Sequence, residues 1–312
     1  MLASSPEFMP CADRHPRQTG AAIVTAMLAV LLVASIAAAL LADLGQSIDV
    51  GSGLHDQAQA RQLARGAVDW ARNVLADDKQ RSTVDHAAEL WATPVPPIPV
   101  EEGEIGGEII DLSGRFNLNN LAPRGKTDDT AAAQFERLLV VLGIAPQRAQ
   151  ALRRAVLARL VSAGEDAGPV PGSDRSAVSG PLLDVAELAA LPGFDAPTLA
   201  RLGPFVAALR SPSKINVNTA PAEVLQAVIR GLDLADARAL VAERDRAWFR
   251  HLGDLQGRLP PGASLDASAS LDVQSSFFLV TSRARYGRAM VKVEALLERS
   301  HTWPEVVWLR IP

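Results

Sequence analysis

The residue types best suited to chemistry are rare in this sequence, and their spacing does not bring them together. A single cysteine, Cys11, excludes an intramolecular disulfide, a cysteine-based zinc site and a Cys-x-x-Cys redox pair. No Gly-x-Ser-x-Gly, His-Glu-x-x-His or P-loop motif occurs. The histidines are scattered, at His15, His55, His86, His251 and His301. The sequence therefore predicts a protein that is not an enzyme.

The overall charge argues against a second class of function. The chain has 312 residues and a formal net charge of −4, so it lacks the basic footprint that nucleic acid attracts. Its length allows one large domain or two smaller ones on a common core.

An uncharged segment near the N-terminus predicts a membrane-spanning helix. It covers 25 residues, from 18 to 42, and about 20 apolar residues suffice to cross the hydrocarbon core. Arg14 and Arg17 precede it and Asp43 follows it, so the positive-inside rule places the N-terminus in the cytoplasm. A signal peptide cleaved near residues 37–39 and a permanent anchor are two open interpretations.

The third interpretation rests on Arg17-Gln18-Thr19-Gly20, which stands directly before the apolar segment and resembles the cleavage site of prepilins. The resemblance implies that prepilin peptidase cuts between Gly20 and Ala21, with methylation of the new N-terminus. Thr25 then takes the fifth mature position, where most pilins carry glutamate. A carboxylate is costly at this depth without a partner, and its loss is similar to what K-type minor pseudopilins show.

Two further segments resemble the K-type minor pseudopilins of type II secretion systems. Residues 111–120 read Asp-Leu-Ser-Gly-Arg-Phe-Asn-Leu-Asn-Asn, and residues 214–221 read Lys-Ile-Asn-Val-Asn-Thr-Ala-Pro. The motif residues are Gly114, Arg115, Phe116, Asn117, Asn119, Asn216, Asn218 and Thr219. The resemblance covers residues 17 to about 297.

Hydrophobic periodicity predicts the order of the elements. After a break at Gly51-Ser52-Gly53, an amphipathic helix begins at Ala60, and prolines in residues 93–99 end the helical region. A strand is expected around residues 109–112. Helices are predicted at residues 128–142, 146–161, 183–191, 196–209, 222–230 and 235–246, and late strands at 277–284, 289–297 and 303–311. Thr219 is the expected N-cap of the fifth of these helices, with Glu223 completing a capping box.

This order predicts an α+β fold in which a long pilin-like N-terminal helix packs on a small antiparallel sheet. The late strands complete the sheet that the early strand opens, and an all-α insertion lies between them. The predicted boundaries are a leader at 1–20, a membrane helix at 21–44, a pilin-like module at 45–122, 211–220 and 272–312, and a helical insertion at 123–210 and 220–271.

The resemblance implies a structural role in secretion. The expected partners are I- and J-type minor pseudopilins, other pseudopilins, prepilin peptidase and the inner membrane, with the main domain in the periplasm. The family also implies calcium binding in the insertion, for which Glu165, Asp166 and Asp174 are the candidate ligands. The alternative function is a membrane-anchored helix-hairpin-helix protein that binds DNA through Gly193 and Gly231, although aspartates flank both glycines.

Overall fold

The structure, a computed structural model, describes residues 19–161, 180–265 and 270–311, with side chains from residue 21 onward. The chain divides into two units, Met1–His55 and Asp56–Pro312. The first unit contains the apolar segment, and the second contains the sheet and the remaining helices.

Helix α1 runs from Thr19 to Arg81 without interruption. The predicted break at Gly51 and Gly53 is therefore wrong. A glycine inside a helix costs only about 1 kcal/mol relative to alanine, and a helix of this length tolerates two. An 18-residue window in α1 has a mean hydropathy of 2.7, and none of its residues is buried. Among the described residues, α1 is the one helix long and apolar enough to cross a membrane.

Five strands form one antiparallel sheet in the order β1–β2–β7–β8–β9. Their bounds are β1 Val95–Val100, β2 Gly103–Asp111, β7 Phe277–Tyr286, β8 Ala289–Glu298 and β9 Glu305–Arg310. The early strand β2 pairs with the late strand β7 along its whole length. The predicted fold class, in which late strands complete a sheet opened before the helical part, is confirmed.

The second part of α1 packs on this sheet through small side chains. Ala60, Ala64, Val68 and Ala71 are buried and recur every three to four residues, as an amphipathic helix requires. They lie in one core with Val280 and Val293 of the sheet. The alanines let the helix approach the sheet closely.

Strand β1 was not predicted, because Pro96, Pro97 and Pro99 lack the N–H groups that a central strand needs. It lies at an edge of the sheet, where only one side of the backbone pairs. Proline is compatible with this position, and it also blocks further strand addition there.

The helical part contains six α-helices and two pairs of short parallel strands within the described residues. The helices are α2 Asp129–Val141, α3 Pro146–Val161, α4 Ala196–Leu202, α5 Ala222–Val228, α6 Leu234–Arg244 and α7 Leu252–Gly257. The short strands are β3 Phe116–Asn117 with β4 Val206–Ala207, and β5 Ile215–Asn216 with β6 Leu271–Asp272.

Three local predictions in this part are wrong. Residues 183–191 form a 3₁₀ helix at Val185–Ala190 instead of an α-helix. Helix α4 ends at Leu202, because Gly203 and Pro204 follow and proline cannot donate the next helical hydrogen bond. Thr219 does not cap α5: the N-cap is Pro221, without a side-chain bond, so no capping box with Glu223 forms.

Candidate functional site

The two family motifs begin two copies of one structural unit. The first copy runs from β3 to β4 and the second from β5 to β6, and in each the opening strand pairs in parallel with the closing one. Each copy contains a helix pair and a short capped helix, with one positive-φ glycine after the first helix of the pair and another after the short helix, and the first copy has helix α4 in addition. The glycines are Gly143 and Gly193 in the first copy and Gly231 and Gly262 in the second, at φ of 79°, 89°, 76° and 92°.

The first asparagine of each motif turns the backbone at the end of its strand. The Asn117 Oδ1 atom accepts a hydrogen bond from the Asn119 backbone N–H at 3.1 Å. The Asn216 Oδ1 atom accepts the equivalent bond from Asn218 at 2.9 Å. Both asparagines are fully buried. The motif thus fixes the direction in which the chain leaves the strand.

The second asparagine of each motif holds a distant backbone segment. Asn119 accepts from the Leu182 N–H at 2.9 Å and donates to the carbonyls of Leu182 and Leu209, both at 2.8 Å. Asn218 accepts from the Phe249 N–H at 2.8 Å and donates to its carbonyl at 3.0 Å. In each copy the held residue lies two positions before the N-cap of the short helix.

In each hairpin considered for DNA binding, one backbone amide is bonded to a carboxylate of the chain itself. Asp195 accepts from the Thr198 N–H at 2.9 Å, and Asp233 accepts from the Asp236 N–H at 2.8 Å. Hydrogen bonds from Thr198 and Arg148 lower the pKa of Asp195 to about 2, so this carboxylate is charged at neutral pH. A DNA phosphate would meet the negative charge of these carboxylates.

The second motif also joins the helical part to the sheet, through Asp111 at the end of β2. The Asp111 Oδ2 atom accepts hydrogen bonds from the hydroxyls of Thr219 and Ser275, each at 2.5 Å, and from the Asn216 amide at 3.3 Å. The Oδ1 atom accepts from the Ser113 N–H at 2.7 Å. Burial raises the pKa of Asp111, and these bonds oppose that shift.

Arg299, which follows β8, extends this buried junction to the end of α1. Its guanidinium donates to Asp78 at 2.7 Å, to Asp85, and to the carbonyl of Ser275 at 3.2 Å. The Arg299 side chain is completely buried. Burial raises the pKa of Asp78 to about 6, and the bond from Arg299 only partly offsets it. We call the set Asp85, Asp111, Asn216, Ser275 and Arg299 the junction cluster.

Three carboxylates, one of them in the junction cluster, have ligand atoms close enough for a metal ion. Asp78, Asp85 and Glu89 place these atoms within 4.8 Å of one another. The Arg299 guanidinium already pairs with two of them and supplies the compensating charge. The predicted calcium ligands Glu165, Asp166 and Asp174 lie outside the described residues.

The other motif residues have packing roles. A Cβ at Gly114 would lie 2.7 Å from the Thr219 hydroxyl and 2.9 Å from its backbone, so only glycine fits. Phe116 is buried and stacks on Phe135, with ring centroids 5.9 Å apart. Burial lowers the pKa of Arg115, whose guanidinium donates to the Gly203 carbonyl at 3.4 Å. At the predicted cleavage site, Gly20 and Ala21 lie in the first turn of α1.

The sequence reasoning missed Asp85, Ser275 and Arg299, and it missed the duplication. No local pattern marks the first three, since each acts through residues far along the chain. A signal for the duplication was present. An Asn-x-Asn spacing follows an apolar residue at both 117–119 and 216–218.

Comparisons with known proteins place boundaries close to those of the two structural copies. Two family models described as type II secretion system protein K match, one over residues 114–212 and the other over 215–274. Each model covers almost the same residues as one structural copy.

Full-length relatives extend the match to most of the chain. The type II secretion system protein K of Pseudomonas aeruginosa is 31% identical over 89% of this chain and 88% of its own length. The Klebsiella pneumoniae protein of the same name is 30% identical, over 91% and 93%.

A solved structure has the same fold. It is the crystal structure of the GspK–GspI–GspJ complex of the type 2 secretion system of enterotoxigenic Escherichia coli. The TM-score is 0.70 at 24% identity, with 84% of this chain and 99% of that chain covered. On the extent and identity of the full-length matches, the chain belongs to the protein K family of type II secretion systems.

Proposed function

We propose that this chain is a minor pseudopilin that caps the tip of the pseudopilus in complex with I- and J-type minor pseudopilins. The observation that carries the proposal is the division of α1. Its first part is apolar and exposed, and its second part packs on a sheet that bears a helical insertion. An anchored helix with a bulky outer domain is suited to the end of a helical assembly. The similar fold in the GspK–GspI–GspJ complex supports the choice of partners.

The proposed topology is a single membrane anchor with the N-terminus in the cytoplasm and the second unit in the periplasm. Prepilin peptidase would cut between Gly20 and Ala21 before assembly. Thr25, at the fifth mature position, donates its hydroxyl to the carbonyls of Ala21 and Ala22, both at 3.0 Å. Its polar group is thus satisfied within its own helix, which suits a subunit with no earlier neighbour in the membrane.

The junction cluster has a mechanical role in this proposal. It ties the end of α1, strand β2 and the helical part through buried, charge-assisted hydrogen bonds. A load applied to the helical part would pass to α1 without a flexible linker. The bulk of the helical part would prevent addition of further subunits above it.

Processing and secretion test this proposal in cells. The variant Gly20→Ala should keep its leader, detected as a larger N-terminal peptide by mass spectrometry, and should fail to restore secretion to a strain lacking the chain. Gly45→Ala is the matched control, since it changes an exposed glycine of the same helix with no atom within 4 Å of the new Cβ. Normal processing of Gly20→Ala would contradict the cleavage assignment.

Calcium binding by Glu165, Asp166 and Asp174 is proposed on the family resemblance. Hard divalent cations take six to eight oxygen ligands, so three carboxylates would need backbone carbonyls and water in addition. Calorimetric titration of the chelator-treated chain with Ca²⁺ tests it. The variant in which both aspartates are replaced by asparagine and Glu165 by alanine should show no heat of binding. Absence of a binding heat for the wild-type chain would contradict the proposal.

A further inference from the structure

An apolar cavity of about 300 Å³ lies between α1 and the β2 side of the sheet. It exists because the facing elements carry their smallest residues there, Gly66 and Ala67 on the helix and Gly107 on β2. A Cβ at Gly107 would lie 2.3 Å from the Thr281 carbonyl oxygen, so the close strand pairing requires glycine. The missing side chain leaves space above Ser282, the residue that pairs with Gly107 in β7.

Ser282 brings an unpaired polar atom to this cavity. Residues two positions apart on a strand face the same side of the sheet. Val280 and Ala284, two positions before and after Ser282, pack in the core beneath α1, so the Ser282 side chain also faces α1. The residue is 1% exposed, and its Oγ atom has no hydrogen-bond partner within the part of the chain that the structure describes. Buried hydroxyls are normally paired with protein or with ordered water, so this one is available to a polar group that enters the cavity.

The mouth of the cavity is surrounded by large apolar side chains that the chain leaves exposed. Trp70, Leu90 and Ile98 are 51%, 75% and 46% exposed, and all three line the cavity. At Gly66, a Cβ would meet no atom within 4 Å, so the space beside the helix is open at this point. Exposed apolar residues grouped around a pocket are typical of a surface that another protein covers.

We propose that this cavity receives an aromatic side chain with one polar ring atom, a tyrosine or tryptophan, from an I- or J-type pseudopilin. The inference rests on the proposed function and adds the anchor point of the partner. An aromatic ring matches the apolar walls and the volume, and its O–H or N–H meets the Ser282 hydroxyl. A lipid chain fits less well, because it offers no polar atom and because Gly66 lies 24 residues beyond Ala42, where the uncharged segment ends.

The test uses the full-length chain, co-expressed with tagged I- and J-type pseudopilins and extracted in detergent. Gly66→Leu places a side chain in the open space at the mouth, and we expect partner retention to fall about tenfold. Gly257→Leu is the matched control, since Gly257 is an exposed helical glycine with nothing within 4 Å of its Cβ position. It should retain partners as the wild type does.

Ser282→Ala provides a second variant that does not depend on a bulky insertion. It removes the unpaired hydroxyl, so partner retention should fall roughly fivefold while the midpoint of thermal unfolding stays the same or rises. A purely structural serine would show the opposite pattern. Partner retention at the wild-type level in either variant would overturn the inference.

The remaining outcomes separate the inference from the function on which it rests. If the wild-type chain retains neither partner, the proposed function fails. If it retains them and Gly66→Leu does so equally, only the inference fails. Two other occupants would also overturn the inference if partner retention is unchanged. One is a lipid that native mass spectrometry detects on the wild type and not on Gly66→Leu. The other is a homodimer that light scattering detects for the wild type and not for Gly66→Leu.

Discussion

Asn119 and Asn218 make equivalent contacts in two copies of one motif. Each forms hydrogen bonds with both the N–H and the carbonyl of a single residue far along the chain. Asn119 holds Leu182, and Asn218 holds Phe249. In both copies this contact fixes the backbone two residues before the N-cap of the short helix. The second copy alone adds the bond between Asn216 and Asp111 that connects the unit to the sheet.

The asparagine contacts should be strong contributors to stability. Asn119→Ala leaves one buried N–H and two carbonyls unpaired, so we expect a loss of about 3 kcal/mol in the free energy of unfolding. Asn218→Ala leaves one N–H and one carbonyl unpaired and should lose about 2 kcal/mol. Urea unfolding of the chain in detergent, followed by tryptophan fluorescence, measures both.

Asn73→Ala is the control for these substitutions, because Asn73 is exposed and its amide donates to the Asp69 carbonyl of the same helix. Its effect should be below about 0.5 kcal/mol. Losses in Asn119→Ala and Asn218→Ala no larger than this would show that the motif does not hold the fold together.

Arg299 should contribute far more to the stability of the fold than an arginine in an exposed ion pair does. Arg299→Met leaves the buried Asp85 carboxylate without its cation, at a cost of about 3–5 kcal/mol. Arg285→Met is the matched control, since Arg285 pairs with Glu104 at 2.7 Å on the surface, where solvent screens the pair, and its loss should change stability little. Equal losses in the two variants, by the same urea titration, would refute the junction as a source of stability.

The fold and the site differ in how far the sequence predicts them. The α+β class and the pairing of late strands with an early one follow from alternating and helical periodicity, and helix α3 has its predicted bounds. Periodicity is a local property, so it predicts those elements in which the pattern of buried residues is visible within a few positions of the sequence. The motif residues were found as types, but the roles of Asn119 and Asn218 depend on contacts 63 and 31 residues away.

The junction cluster shows why the rest could not be predicted. Thr219 is a good N-cap by residue type, yet its hydroxyl donates to Asp111, which is 108 residues away. A buried carboxylate is a stronger acceptor than the alternative within the helix, so tertiary contact overrides local preference. Strand β1 was missed for the converse reason, since its prolines contradict strand propensity and only an edge position accommodates them.

Two glycines in equivalent hairpins should respond differently to alanine. A Cβ at Gly231 would lie 2.3 Å from the Gly262 carbonyl oxygen, so Gly231→Ala should cost about 3 kcal/mol. At Gly143, φ is also positive, but the nearest atom is 3.6 Å away on the Arg201 side chain. Gly143→Ala should therefore cost only about 1 kcal/mol. Similar midpoints of thermal unfolding for both variants would contradict the close packing of the second copy.

Stability should depend on pH through Asp78. Its pKa is raised from 3.8 to about 6 by burial, so the folded chain binds more protons than the unfolded chain between these values. The Asp78 contribution to stability is therefore present below pH 3.8 and is lost as pH rises through 6. Asp78→Asn cannot titrate, so the stability of the wild type relative to this variant should fall from pH 4 to pH 7. A difference that is constant or rises with pH would show that the ion pair with Arg299 dominates.

Assembly with the partners is the most direct test of the proposed function. The full-length chain is mixed in detergent with the I- and J-type pseudopilins of its own secretion system, and the mixture is analysed by size exclusion with light scattering. The proposal predicts one stable complex that contains one copy of each protein. Three separate monomers at micromolar concentrations would contradict a place at the pseudopilus tip.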